Sequence, residues 1–296
     1  MTARSDVHDH PLRRALPWFL LAGLCLSSLD ATAKWLVRDN PVFLVVWARY
    51  VGQVLFVTPY VHYRAGPGFW RTRKPGLQLL RSMFLVLATA CFFGGLRYLP
   101  LAEGSAVNFL APIFMVVLSQ RVIGERPSRA RLVASIVGFS GILILMRPGS
   151  AVLHPAVLLI VLGALCNALY QLLTRKLLDE NPNTTLFYSA VVGAVSLTLV
   201  LPWALPDDAF NRRDVGPFVL LGVFAGFGHF LLTRAFLRAP VALLAPFTYM
   251  QIMWATLYGV ILFGQHPDAL SALGMSVVVA SGLGLAVYER SRYRLV

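Results

Sequence analysis

Apolar residues run along this chain in blocks of about 20, the length that crosses a bilayer as one helix, separated by short polar connections. Ten such blocks are found, at 17–37, 42–62, 76–98, 101–123, 129–147, 154–174, 183–203, 215–237, 240–263 and 267–288. The longest connections, 62–75 and 204–214, are too short for a soluble domain. The pattern predicts an all-α integral membrane protein of ten transmembrane helices. Polar tails at 1–16 and 289–296 flank two units, 17–147 and 154–288.

The two units repeat one another. At an offset of 140 residues Pro100 meets Pro240, Ala102 meets Ala242, Gly124 meets Gly264 and Pro127 meets Pro267. At an offset of 141, Cys25 meets Cys166, Asn40-Pro41 meets Asn181-Pro182 and Gly52 meets Gly193. Five helices per unit is an odd number, so the second unit enters the membrane inverted relative to the first. The charges orient the bundle: eighteen Lys and Arg lie in the tails and the loops after even-numbered spans, against six in the opposite loops. By the positive-inside rule both termini are cytoplasmic. Arg13-Arg14, the first apolar run and Ala31-Thr32-Ala33 imitate a secretory signal, but Asp30 and Lys34 interrupt it, and the segment has its own counterpart in the second unit.

With 57% hydrophobic and 13% charged residues, the composition agrees with a lipid solvent. The net charge of +13 is spread over short loops rather than gathered on one face, which argues against nucleic acid as a partner. Cys25, Cys91 and Cys166 lie inside apolar segments without paired spacing, so neither disulfides nor a metal site is indicated. No Walker, H-E-x-x-H, G-x-S-x-G or dinucleotide fingerprint occurs, and no cofactor or enzyme chemistry is expected.

Ionisable groups within the spans are few, and each is costly enough in hydrocarbon to be a functional candidate. Asp30 and Lys34 share one face of span 1, Arg49 lies on span 2, Arg81 on span 3 and His229 on span 8. Asp30 and Arg49 fall at one depth, roughly 10 Å below the outer helix ends, where they can pair. Counted together, three cations against one carboxylate leave an excess of positive charge that an anionic substrate would balance; Arg reads carboxylates bidentately. Asn108, Asn167, Gln171, Tyr249, Gln251 and Trp254 complete the candidate substrate site. Glu103 reads as a hydrated group at the outer mouth of span 4. Pro112 and Pro246 each remove a backbone hydrogen bond within a span and are the candidate hinges. Proton coupling, where present, falls to His229 or Asp30. Gly222 and Gly226 have the small-xxx-small spacing of close helix packing.

Asp30 with Lys34-Trp35, Arg49, the run Leu99-Pro100-Leu101-Ala102 to Pro112, Leu118 to Gly124-Glu125, Met146-Arg147-Pro148-Gly149 and Ala245-Pro246-Phe247-Thr248-Tyr249 resemble the EamA-type drug/metabolite transporter superfamily. One departure stands out: Gly124-Glu125 after span 4 becomes Gly264-Gln265 after span 9. The resemblance covers nearly the whole chain and implies ten helices in two inverted repeats, in a bacterial inner membrane, without a bound cofactor. Its partners would be the bilayer, a small-molecule substrate and, as an open option, a second copy of the chain. Similar proteins export amino acids and opine-type metallophores or import riboflavin or S-adenosylmethionine. The excess of buried cations favours export, by alternating access, of a small carboxylate-bearing metabolite derived from amino acids; import of a vitamin or cofactor is the alternative.

Overall fold

A computed structural model describes residues 11–125, 127–147, 153–204, 212–239 and 244–293. The described elements are all helical: α1 (Pro11–Asp39), α2 (Val42–Ala65), α3 (Pro75–Leu96), α4 (Leu101–Asn108), α5 (Leu110–Ile123), α6 (Arg129–Leu145), α7 (Val157–Arg175), α8 (Pro182–Ala204), α9 (Val215–Phe236), α10 (Met250–Phe263) and α11 (Ala269–Tyr293). Single 3-10 turns at Arg212–Asp214 and Ala245–Tyr249 lead into α9 and α10. Among the described residues, eight spans are long and apolar enough to cross a bilayer; the shorter ones are α6, at 17 residues, and the apolar stretch Phe247–Phe263. The first helix starts earlier than its apolar block, at Pro11, a residue whose fixed φ suits a first helical turn.

Span 4 is two helices rather than one. Pro112 has no N–H to give the Asn108 carbonyl, so the α-helical ladder stops there, and the Phe109 N–H turns back to the Ala106 carbonyl at 3.1 Å. Span 9 carries the same defect in its own form: the 3-10 turn Ala245–Tyr249, which contains Pro246, precedes the regular helix α10. Ala242, four residues before Pro246, lies outside the described residues. Both spans end alike, on Gly124 (φ 76°) and Gly264 (φ 63°), in the left-handed conformation that closes a helix with little penalty only for glycine.

The helices pack mainly across the two repeats, and the largest of these contacts have exchanged counterparts. Helix α1 lies on α9 as α3 lies on α7; α2 on α9 is matched by α8 on α3, and α5 on α7 by α10 on α1. The equivalent spans α2 and α8, and α6 and α11, pair with each other, as elements do across a two-fold axis. Close approaches make this possible. A methyl group on Gly222 of α9 would sit 2.9 Å from the Gly52 Cα of α2, and one on Gly226 would collide with Phe56.

The loops repeat the exchange. The buried Asn40, after α1, donates to the Asp214 carboxylate before α9 at 2.7 Å. In the reciprocal place, before α3 and after α7, Lys74 pairs with Asp179 at 2.8 Å while Thr72 and the Arg73 N–H donate to Glu180. Lys74 holds the Asp179 carboxyl below its ordinary range. A third latch joins Arg147, after α6, to Asp268, before α11. The Arg147 guanidinium and the Ser271 N–H and hydroxyl depress the Asp268 carboxyl from 3.8 to about 2. A depressed carboxylate stabilises the fold above its unfolded value and loses that contribution as pH falls through the folded value. Asp268→Asn should therefore lower the thermal midpoint slightly at neutral pH, with the deficit shrinking as pH falls from about 4 toward 2. A deficit independent of pH would assign the effect to the α11 cap instead.

Candidate functional site

The cations grouped by sequence part company in the structure. Lys34 is 3% exposed, and its ammonium donates to the carbonyls of Leu96 at 2.7 Å and Leu99 at 2.5 Å. It closes the C-terminal end of α3, where free carbonyls and the helix dipole attract a cation. Arg81, 1% exposed, is engaged at every nitrogen: Nε with Thr174, Nη1 with Gln78 and the Thr185 carbonyl, Nη2 with Tyr170 and Ser189. Its partners are neutral; apart from Gln78 on α3 itself they come from α7 and α8, so Arg81 clamps three helices and has no donor left for a solute.

Arg49 differs. It is 5% exposed, lies over the Tyr50 ring at 4.5 Å, and touches the His229 imidazole of α9 through Nη2 at 3.5 Å. Its Nε and Nη1 are buried without a partner. One turn further along α2, the fully buried Gln53 leaves both amide atoms unpaired. Asp30, half-buried on α1, lies within the electrostatic reach of Arg49. No ion pair within 4.0 Å joins the two. Buried donors without acceptors are rare because each forfeits its hydration. Together Arg49 and Gln53 offer unpaired donors, with the Asp30 carboxyl in the electrostatic reach of Arg49.

A second focus lies where the broken spans meet. Phe109, at the break in span 4, and Tyr249, its counterpart at an offset of 140, stack at 4.9 Å with an interplanar angle of 23°. Tyr249 also fits against Gly282 of α11, where a methyl group would overlap its ring. Trp254, four residues beyond Met250, buries its indole N–H without an acceptor, and Tyr258 hydrogen-bonds Ser28 of α1 at 2.6 Å. Asn108 ends α4 half-buried; Asn167 accepts from Gln171 at 3.3 Å on α7; Gln251 is half-buried at the start of α10. Of these helices α10 packs on α1, which carries Asp30, whereas α7, with Asn167 and Gln171, packs on α3, α4 and α5.

Three placements were not legible in the chain. Glu103 is not hydrated at a mouth but 5% exposed, within a helix whose first seven residues are all buried. Gln53 carries no charge to single it out within a span, although its spacing of four from Arg49 puts it on the same face. Gln265, the departure from the Gly-Glu pattern, accepts the Leu101 N–H at 3.0 Å and so caps the start of α4, while Glu125 pairs with Arg175 of α7 at 2.8 Å.

The EamA-like transporter family model matches the chain twice, over residues 13–147 and 154–287. This chain belongs to the EamA-like transporter family. It is a transporter with two EamA repeats and not an enzyme. Among its EamA relatives, the S-adenosylmethionine uptake transporter of Rickettsia prowazekii (strain Madrid E) is 26% identical over 275 residues, 92% of each chain. A riboflavin transporter of Rhizobium johnstonii is 28% identical over 283 residues, 94% of this chain and 92% of that one. A riboflavin transporter of Vibrio cholerae is 27% identical over 296 residues, 98% of each. A crystal structure at 20% identity superposes with a TM-score of 0.66, covering 93% of this chain and 97% of that one, and so shares the EamA fold.

Proposed function

We propose that this EamA protein is a bacterial inner-membrane secondary transporter that imports a cofactor or vitamin. Its two repeats are inverted in the membrane, both termini are cytoplasmic, and they rock about a site near the midplane. The observation that carries the reading is the buried guanidinium of Arg49, two of whose nitrogens have no partner, within the electrostatic reach of Asp30. Export of a polycarboxylate metabolite drew its support from an excess of buried cations. With Lys34 engaged by carbonyls and Arg81 by hydroxyls, that excess does not reach a solute. What remains is one cation and one anion, which suits a solute carrying both donor and acceptor groups. Trp254, Tyr249 and Phe109 supply flat apolar surface for a ring system, as nucleoside and flavin solutes possess. The names of the uptake relatives point the same way.

Within this scheme Asp30 holds a donor or cationic group of the solute and Arg49 an acceptor group. The breaks at Pro112 and Pro246, joined by the Phe109–Tyr249 stack, serve as the hinges. The test is uptake of labelled S-adenosylmethionine and riboflavin by cells that lack or overproduce the protein. Entry of one of them, dependent on the protein, is expected. If neither enters and deletion instead traps an amino-acid-derived carboxylate inside the cell, export is the function.

A further inference from the structure

The repeats are unequal at one pair of positions. Arg175, at the end of α7, has its acid in Glu125. Its counterpart at an offset of 141 is Lys34, and the residue corresponding to Glu125 there is Gln265, which carries no charge and caps α4. Lys34 has therefore lost a fixed acid. The acid now nearest to it in electrostatic terms is Glu103 on α4, yet no ion pair within 4.0 Å joins them. Instead the ammonium holds the carbonyls of Leu96 and Leu99, and the Glu103 carboxyl, 5% exposed, leaves Oε2 with no partner. Two residues further along α4 the Ser105 hydroxyl is also buried and unpaired.

An ionised carboxylate does not stay buried with a bare oxygen while a cation stands close by and unbound to it. We propose that Glu103 is a proton-binding site, occupied in the conformation seen here, and that Lys34 is the competing ligand for its deprotonated form. When Glu103 gives up its proton, the carboxylate left behind draws the Lys34 ammonium from the Leu96 and Leu99 carbonyls and forms an ion pair. The end of α3 then loses its cap and its tie to α1. Rebinding of a proton reverses the exchange. One proton is thereby linked to the attachment of α1, the helix that carries Asp30, to the α3–α4 corner. This assigns ion coupling to a residue outside the Arg49 site.

At the α3–α4 corner Arg97 donates to the Arg38 carbonyl, His154 stacks on Tyr98 before α7, and His266 follows Gln265, the cap of α4. Lys34 faces Glu103 from α1, with Arg38 acting on Lys34 in turn, and Asp268 reaches it from the turn before α11 while bound to Arg147, which follows α6. Helix α10 has no charged residue. Arg81 on α3, Arg121 on α5, Arg129 and Arg131 on α6 and Arg175 on α7 lie toward the far ends of their helices.

The test needs no substrate. Infrared difference spectra of the purified full-length protein in lipid, recorded across a pH titration, should show a protonated carboxyl C=O band at neutral pH. In an Asp30→Asn background, which removes the other carboxyl deep in the spans, the band should vanish in Glu103→Gln and remain in Glu125→Gln, whose carboxylate is exposed and ion-paired. In Lys34→Met, which removes the competing cation, the band should survive to higher pH by about one unit or more. A neutral-pH spectrum without the band, or a band that persists in Glu103→Gln in the Asp30→Asn background, overturns the proton site. A titration unmoved by Lys34→Met overturns the exchange. Neither result bears on the imported solute, which the uptake assay decides separately.

Discussion

Arg49→Ala should abolish uptake while the protein still reaches the membrane in normal amount. Hydrogen bonds to a charged group contribute about 1.5–3 kcal/mol each, so losing even one from a bound solute weakens binding by roughly tenfold to a hundredfold. Two guanidinium nitrogens stand unpaired, which places the expected loss at the upper end or beyond. The fold should tolerate the change, because Arg49 makes no ion pair and gives the protein a long contact with His229, its stacking on Tyr50 and a longer-range attraction to Asp30. A buried cation so poorly paired carries a desolvation cost that its removal relieves. Arg49→Lys keeps the charge but not the planar fork and should recover only part of the flux. Uptake at the wild-type rate in Arg49→Ala, with equal protein in the membrane, would remove Arg49 from the site.

Much of the architecture was readable because its causes are local or periodic. Apolar blocks of bilayer length mark the spans, and coincidences such as Asn40-Pro41 with Asn181-Pro182 mark the repeat. The glycines that end spans 4 and 9 appear in the chain as a matched pair because only glycine suits that left-handed closure. The site was harder to read, since burial of a cation says nothing of what satisfies it. Arg81 and Lys34 look alike beside Arg49 in an apolar segment. Their partners are hydroxyls and carbonyls from other spans, which no spacing rule points to. The break in span 4 was signalled by Pro112, but the stacking of Phe109 on its own counterpart follows from the two-fold arrangement alone. The Gln265 substitution was visible as an irregularity, and only the capped Leu101 N–H gives it a purpose.

The repeat interface sets the second large effect: Gly52→Val should prevent accumulation of folded protein. Packing two helices with backbone against backbone gains dispersion contacts and excludes lipid, but it leaves no room for a side chain. A Cβ on Gly52 would overlap the Gly222 Cα, and backbone cannot rotate away as a side chain does. Overpacking that rotamer changes relieve costs about 1–3 kcal/mol, whereas here α2 and α9 must separate along their length, so the cost exceeds that range. Gly23→Ala is the control, because a methyl group there meets nothing within 4 Å. Size-exclusion profiles and thermal midpoints in detergent should separate the two variants clearly. Any Gly52→Val protein that does fold should still transport poorly. Arg49 lies three residues before Gly52 on α2 and His229 seven after Gly222 on α9, so forcing the helices apart parts the very groups that the close approach brings together. A variant with normal melting and normal uptake would mean that the two backbones do not meet at this crossing.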